Sequence, residues 1–275
     1  MTVPDEAQIE RKLLLEAIFE RYHYDFRDYA EASLKRRLES ALHHFGFHTL
    51  SRLQERLLHD PIVFTELLRF LTVQVSDLFR DPPYFKALRE KVVPILRTYP
   101  SLKVWVAGCA TGEEAYSLAI LLHEEGLLGV TQIYATDIHP DSLRVAREGV
   151  YETSRFQRFS ENYLAAGGRG SLADYYTANA ASAVLDRALK RSILFSDHSL
   201  ATDSAFAEMQ LVSCRNVLIY FDRPLQDRAV SVLRDALCRR GFLGLGLKET
   251  LRFSGHAVAF REFSPDVRIY QRSGP

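Results

Sequence analysis

The 275-residue sequence predicts an α/β protein: a small all-helical N-terminal domain, then a Rossmann-like sheet domain that carries a short insertion. Three observations predict it. From Ile9 to about Leu96 apolar residues recur at spacings of three and four, as in Leu13, Leu14, Ala17 and Ile18 or Phe64, Leu67, Leu68 and Leu71, with almost no alternating runs. After Pro100 short apolar runs alternate with helical stretches, the pattern of a parallel sheet covered on both faces. The last two strand-like runs are separated only by Ser264-Pro265-Asp266. That gap is too short for a parallel crossover, so the pair reads as an antiparallel hairpin.

The helical region breaks at Phe45-Gly46-Phe47, at Asp60-Pro61 and at Asp81-Pro82-Pro83. Asp60 suits a helix N-cap and Pro61 the first turn after it. In the sheet domain, Lys103 to Ala107 reads as a strand ending in Gly108, and Glu113 to Glu125 as the helix after it. Thr131 to Thr136 is the next strand, with Pro140 to Glu148 helical behind Asp137. Arg191 to Phe195, Met209 to Cys214 and Gly241 to Gly246 read as strands, with a helix from Arg223 to Arg239 before the last. Val258 to Glu262 and Val267 to Gln271 form the closing hairpin, which suits a methyltransferase sheet better than a dehydrogenase sheet. Ser154 to Lys190, with its cluster Gly167-Gly168-Arg169-Gly170, favours neither period. The expected domains are 1–81 and 82–275, with the insertion at about 154–190.

Lys and Arg total 35, as do Asp and Glu, so the formal net charge is zero and no global field exists to hold nucleic acid. Cys109, Cys214 and Cys238 show no CxxC or zinc spacing, and the nine histidines no ligand spacing, so neither a metal site nor a disulfide is expected. MTVPDEAQIERK has neither the basic stretch nor the apolar run of a signal peptide, and no segment approaches about 18 unbroken apolar residues. A cytoplasmic location without membrane insertion is the resulting expectation.

Chemistry is expected where the parallel strands end. Gly108-Cys109-Ala110-Thr111-Gly112 is a small-residue turn on which a ligand could lie against the backbone, with Gly108 and Gly112 as its pivots. It is not GxGxxG, and Glu113 and Glu114 would repel a pyrophosphate at the helix start while attracting a cationic sulfonium ligand. Asp137, at the end of the next strand, suits the two hydroxyls of a ribose, or alternatively a helix cap. Arg215, Asn216 and Tyr220 follow the strand ending at Cys214 and should face the same crevice. Arg80 by itself reads as a surface ion-pair partner of Asp77 or Asp81. Lys35-Arg36-Arg37 on a predicted helix reads as a solvated face or a dock for an acidic partner.

From about Asp25 to the C-terminus the chain resembles the chemotaxis protein methyltransferase family, CheR. The likeness lies in the order of LFRDPPYF, WVAGCATGEEAYSLA, YATDIHPDSLRVAREGVY, LVSCRNVLIYFD and RRGFLGLGLKETL. The resemblance implies transfer of a methyl group from S-adenosylmethionine, leaving S-adenosylhomocysteine, to glutamate side chains in the cytoplasmic domain of a chemoreceptor, by a monomeric enzyme. It places the cofactor on Gln74, Ser76, Arg80, Glu114, Asp137, Ser199, Leu200, Arg215 and Asn216. Arg80 and Tyr220 fall on the catalytic positions, with Tyr220 near the transferred methyl, and the family's N-terminal helical domain carries basic residues, so Lys35, Arg36 and Arg37 are the expected receptor-recognition residues. The family commonly has Asn at 74, Thr at 76, Phe at 78 and Asn at 199, and a GHSE-like run where this chain has Gly246-Leu247-Lys248-Glu249. These departures leave open a cofactor-binding receptor adaptor with little or no methyl transfer.

Overall fold

The computed structural model describes residues 5–74 and 76–273. The chain groups into two compact units, Met1–Val73 with Ile219–Gln226, and Gln74–Leu218 with Asp227–Pro275. The division falls at Val73/Gln74 rather than at 81/82. Residues 76–81 pack with the sheet because Leu78 and Phe79 are wholly buried in its core.

The first unit holds α1 (Glu6–Tyr22), α2 (Glu31–Phe45), α3 (Leu50–His59) and α4 (Pro61–Leu71). Its boundaries follow from the breaks in the sequence. Asp5 and Thr49 cap α1 and α3 by accepting from Gln8 N and Arg52 N, and Asp60 caps α4 ahead of Pro61. Gly46 ends α2 with φ 69°. Leu14, Ile18, Leu38, Leu53, Leu57 and Leu67, at the predicted spacings, are buried, and Tyr22 stacks on Phe64 with ring centroids 4.0 Å apart.

The second unit opens with α5 (Pro82–Ala87), continued through a π-turn at Leu88–Val92 into α6 (Val93–Leu96). Then follow β1 (Leu102–Ala107), α7 (Glu113–Glu124), β2 (Thr131–Asp137), α8 (Pro140–Glu148), β3 (Val150–Glu152), α9 (Phe156–Ala165), β4 (Tyr176–Ala178), β5 (Ser182–Leu185), α10 (Arg187–Arg191) and β6 (Ile193–Asp197). β7 (Met209–Cys214), α11 (Arg223–Ala236), β8 (Leu237–Leu245), β9 (Phe260–Ser264) and β10 (Ile269–Arg272) complete the chain. Among the described residues the strands form a seven-stranded sheet ordered β6-β2-β1-β7-β8-β10-β9 and a three-stranded sheet ordered β3-β5-β4. In the larger sheet β6, β2, β1, β7 and β8 are parallel, and β10 is antiparallel to both β8 and β9. The expected closing hairpin is therefore present.

The insertion, which favoured neither period, contains α9 and two of the three strands of the smaller antiparallel sheet. Its strands are only three or four residues long, and such short segments leave little periodicity to read. α11 ends at Ala236, not Arg239, because Leu237 already pairs with Met209. Between the pairs Met209/Leu237 and Leu211/Phe242 the β8 chain loops out, carrying Arg239 and Arg240 off the ladder.

Candidate functional site

Strand order reverses at β1, with β2 on one side and β7 on the other, and open α/β sheets bind ligands beyond the carboxyl ends of strands at such a switch. Because β1, β2, β6, β7 and β8 are parallel, the segments following them leave the same edge: Gly108–Gly112, Ile138–His139, His198–Leu200, Arg215–Asn216 and Gly246–Glu249. Left-handed backbone at residues other than glycine concentrates here, at Phe79 (φ 52°), Asp81 (φ 59°), Ala110 (φ 47°) and Asn216 (φ 60°). Such geometry costs on the order of 1–3 kcal/mol per residue and clusters at ligand sites.

The turn after β1 is pinned by Gly108 N and Cys109 N, which both donate to Thr136 O at 2.8 and 2.9 Å. Gly108 and Gly112 have φ of 73° and 92°. A Cβ at Gly108 would meet Val217 Cγ2 at 2.4 Å, and one at Gly112 would meet Ala146 Cβ at 2.8 Å. The glycines are thus required by the protein's own packing, whereas the sequence reading assigned them to close approach of a ligand.

Asp137 ends β2. Its Oδ2 accepts from Ala110 N at 2.8 Å and its Oδ1 from His139 N at 3.0 Å. Burial raises its carboxyl above the ordinary value, and the Ala110 and His139 amides oppose that shift. The carboxylate keeps acceptor capacity beyond its backbone amides, which fits a ribose diol. The helix-cap alternative falls to another residue, since His139 Nδ1 accepts from Ser142 N to cap α8.

Glu113 and Glu114 do not present free charge to the crevice, contrary to expectation, because each has an arginine partner. Glu113 is fully buried, with Arg155 Nη2 2.8 Å from its Oε1 and Thr111 Oγ1 donating to Oε2 at 2.7 Å. Glu114 accepts from Ser213 Oγ at 2.6 Å and from Arg215 Nη1 at 3.0 Å. Arg215 Nη2 donates to Asp81 Oδ2 at 2.6 Å and to Arg80 O at 3.0 Å, and the guanidinium lies 4.2 Å from the Tyr84 ring centroid. Arg215, 1 % exposed in its side chain, thus bolts α7, β7 and the segment before α5 together.

Gln74 and residues 76–81 form a strap across the turn and the insertion. Gln74 O accepts from Thr111 Oγ1 at 3.4 Å, Ser76 O accepts from Arg155 Nη2, and Leu78 O accepts from Asn162 Nδ2 at 3.0 Å. Phe79 N donates to Ser117 Oγ at 2.8 Å, and the Phe79 ring meets Phe85 and Tyr163 edge-on. Asp77 pairs with Arg155 and Arg158 at 3.4 and 3.2 Å, and Asp81 with Arg215. Both carboxylates once offered as surface partners of Arg80 are therefore engaged elsewhere. Among the described residues the Arg80 guanidinium has no carboxylate within ion-pair distance.

After β6, Ser199 N donates to Asp203 Oδ2 at 2.9 Å, and Leu200 is buried. Asn216 is held by Glu249, whose Oε2 accepts from Asn216 N at 2.9 Å and from Gly246 N at 2.6 Å. Glu249, only 4 % exposed, is a site-shaping residue to which the sequence reading assigned no role, although it keeps the glutamate of the family run. The signal lay in an acidic residue three positions beyond the glycine that ends β8.

Tyr220 and the basic run belong to the helical unit. Tyr220 O accepts from Ala30 N at 2.9 Å, and the Arg37 guanidinium lies 4.6 Å from the Tyr220 ring centroid. Arg37 is 8 % exposed and donates to Leu71 O. Only Lys35 and Arg36 of the run are exposed, so Arg37 is removed from the expected recognition face. Lys35 itself lines a groove with Asp5, Glu10, Glu31 and Glu39, which makes its surroundings acidic. Among the described residues no His, Cys, Asp and Glu group could hold a metal ion, and no helix is long and apolar enough to cross a membrane.

Comparison with known proteins gives this arrangement its family. Residues 74–267 match the model of the CheR methyltransferase SAM-binding domain, and residues 9–72 match that of the CheR methyltransferase all-alpha domain. The chain is 54% identical over 273 residues to a Pseudomonas putida protein named "Putative methyltransferase Cher3", covering 99% of this chain and 100% of that one. It is 30% identical to the chemotaxis protein methyltransferase of Listeria monocytogenes, covering 82% of this chain and 84% of the relative. Among solved structures, the N-methyltransferase NodS of Bradyrhizobium japonicum, in complex with S-adenosyl-L-homocysteine, is 14% identical with a TM-score of 0.40, covering 73% of this chain and 90% of that one. The fold class and the S-adenosylmethionine cofactor expected from the sequence agree with the family matches. The chain belongs to the CheR methyltransferase family, with that family's all-alpha domain followed by its S-adenosylmethionine-binding methyltransferase domain.

Proposed function

We propose that this chain is a protein-glutamate O-methyltransferase acting on the cytoplasmic domain of a chemoreceptor. The observation that carries the reading is Arg80. The Arg215 charge is answered by Glu114 and Asp81, while Arg80 sits on a strained strap at the crevice with its guanidinium unpaired among the described residues. An unpaired cation there suits a carboxylate acceptor. The names of the Listeria and other relatives, chemotaxis protein methyltransferases, support a role in chemotaxis, and the chemoreceptor is the partner that the resemblance implies.

When bound, S-adenosylmethionine supplies a methyl group on a sulfonium leaving group. A glutamate is already ionised near neutral pH, so the chain needs no general base. A carboxylate oxygen forms the new bond to the methyl carbon as the carbon–sulfur bond breaks, and no proton moves. The task left to the protein is alignment and exclusion of water, for which effective molarity alone supplies roughly 7–11 kcal/mol. Arg80 would orient the carboxylate, Asp137 the ribose, and the turn at Gly108–Gly112, the Ser199-Leu200 segment and Asn216 would line the cofactor. Tyr220, which the resemblance puts beside the methyl, is braced by Arg37 in the helical unit. Lys35 and Arg36 would meet the receptor. Transfer of labelled methyl groups to a purified receptor domain, released by mild base as expected for an ester, tests the proposal. An adaptor would bind the cofactor and leave the receptor unlabelled.

A further inference from the structure

A second concave site lies at the opposite edge of the sheet. β8 begins at Leu237, and β10, antiparallel to it, ends at Arg272, so residues flanking these points sit at the amino ends of the parallel strands. Gly241 to Leu245 alone spans about 13 Å at roughly 3.3 Å per residue, which separates this edge from the crevice. Here Arg239, Arg240, Arg261, Gln271, Arg272 and Ser273 line an open groove of about 340 Å³. No carboxylate is among the lining residues, and among the described residues none of these arginines forms an ion pair.

The groove is organised by a buried side chain. Gln271, 1 % exposed, accepts from Arg261 Nε at 3.0 Å and from Arg261 Nη2 through Oε1, and donates through Nε2 to Arg240 O at 2.8 Å. It fixes the Arg261 fork on one wall and the Arg240 backbone on the other. Arg240 has φ 64°, so the loop that leaves the β8 ladder is turned sharply at this arginine. Arg272 is anchored by donation from Nη1 to Leu237 O, which leaves its other donors available. Arg261 and Arg272, anchored on Gln271 and Leu237 O, with Arg239 and Arg240 on the same groove and no carboxylate lining it, match the oxygens of a phosphate, which planar forks bind in pairs. No aromatic or apolar side chain lines the groove to stack a base or grip a peptide.

We propose that this arginine groove binds a small oligophosphate anion, independently of the methyl-transfer crevice. The test is calorimetric titration of the full-length chain with inorganic pyrophosphate at low ionic strength, with S-adenosylhomocysteine saturating the cofactor site and Arg80→Ala titrated in parallel so that any binding at Arg80 is subtracted. Pyrophosphate should bind the wild-type chain. Arg239→Gln with Arg240→Asn, where asparagine tolerates the left-handed backbone, should weaken it by about tenfold or more, the loss expected for charged hydrogen bonds. Melting temperature and S-adenosylhomocysteine affinity should not change in this variant. ADP should bind about as well as pyrophosphate, because nothing in the groove recognises a base. Absence of pyrophosphate binding by the wild-type chain, or equal binding by the variant, would overturn the assignment, and markedly tighter binding of ADP would overturn the ligand class.

Discussion

Arg215 donates to Glu114 Oε2 at 3.0 Å from within the core, and the same guanidinium reaches Asp81 at 2.6 Å. One buried cation thus fixes the start of α7, the end of β7 and the last residue of the strap. Arg215→Met should leave Glu114 and Asp81 without their cation and cost about 3–5 kcal/mol, as loss of one partner of a buried pair does. Arg215→Lys should restore only part of this, since an ammonium does not reproduce the fork. Chemical denaturation checks both, and a wild-type midpoint in Arg215→Met would show that the network is not structural.

Asp137→Asn should weaken binding of S-adenosylhomocysteine by about 1.5–3 kcal/mol, the range for hydrogen bonds to a charged group. The pH dependence has a definite sign. Burial holds the Asp137 carboxyl above its ordinary value of 3.8, so the folded state binds its proton more readily than the unfolded state does. This group's contribution to stability is therefore largest below 3.8 and falls as pH rises through the folded value. Cofactor affinity should move the opposite way, since the ionised form is the better acceptor, and be lost as pH drops through the folded value. Calorimetry across that window, in which Asp137→Asn should show a flatter profile, checks the assignment.

Arg155 joins the insertion to the strap through Ser76 O and Asp77 and to α7 through Glu113 at 2.8 Å. Arg155→Gln should lower kcat more than it lowers cofactor affinity, because it loosens the strap that carries Arg80 without touching Asp137. In the double variant with Glu113→Gln the stability loss should be smaller than the sum of the two single losses, as for residues in contact. Strict additivity in the denaturation midpoints would contradict the coupling.

Arg37 and its neighbours in sequence should behave differently. Arg37→Ala should destabilise the helical unit by about 2 kcal/mol through loss of its contacts with Leu71 and the Tyr220 ring. Lys35→Ala with Arg36→Ala should leave the melting temperature unchanged, raise the apparent KM for receptor, and reduce its salt dependence. A double variant with wild-type KM and salt dependence would return Lys35 and Arg36 to a solvated face.

The parallel strands and the closing hairpin were legible because each strand is a short apolar run with a recognisable breaker after it, as Ala107 with Gly108 or Cys214 with Arg215 and Asn216. The crevice was legible for the same reason, since topology puts strand ends on one edge. What the sequence withheld was pairing. Nothing in Glu113-Glu114 tells that Arg155 and Arg215, 42 and 101 positions later, neutralise them, or that Glu249 holds Asn216. Arg37 looked like the third member of a basic run, but helix periodicity places it on the buried face with Leu34, Leu38 and Ala41. The insertion was opaque because its strands are too short to show a period.

Methyl transfer itself tests the central claim most directly. The full-length chain, labelled S-adenosylmethionine and a chemoreceptor cytoplasmic domain should give label on receptor glutamate side chains, located by peptide mass spectrometry and released by mild base. Arg80→Ala should reduce the rate by about 100-fold while retaining most cofactor affinity, if its main role is to orient the acceptor carboxylate. Cofactor binding with no labelling of any receptor glutamate by the wild-type chain, or full activity in Arg80→Ala, would contradict the account.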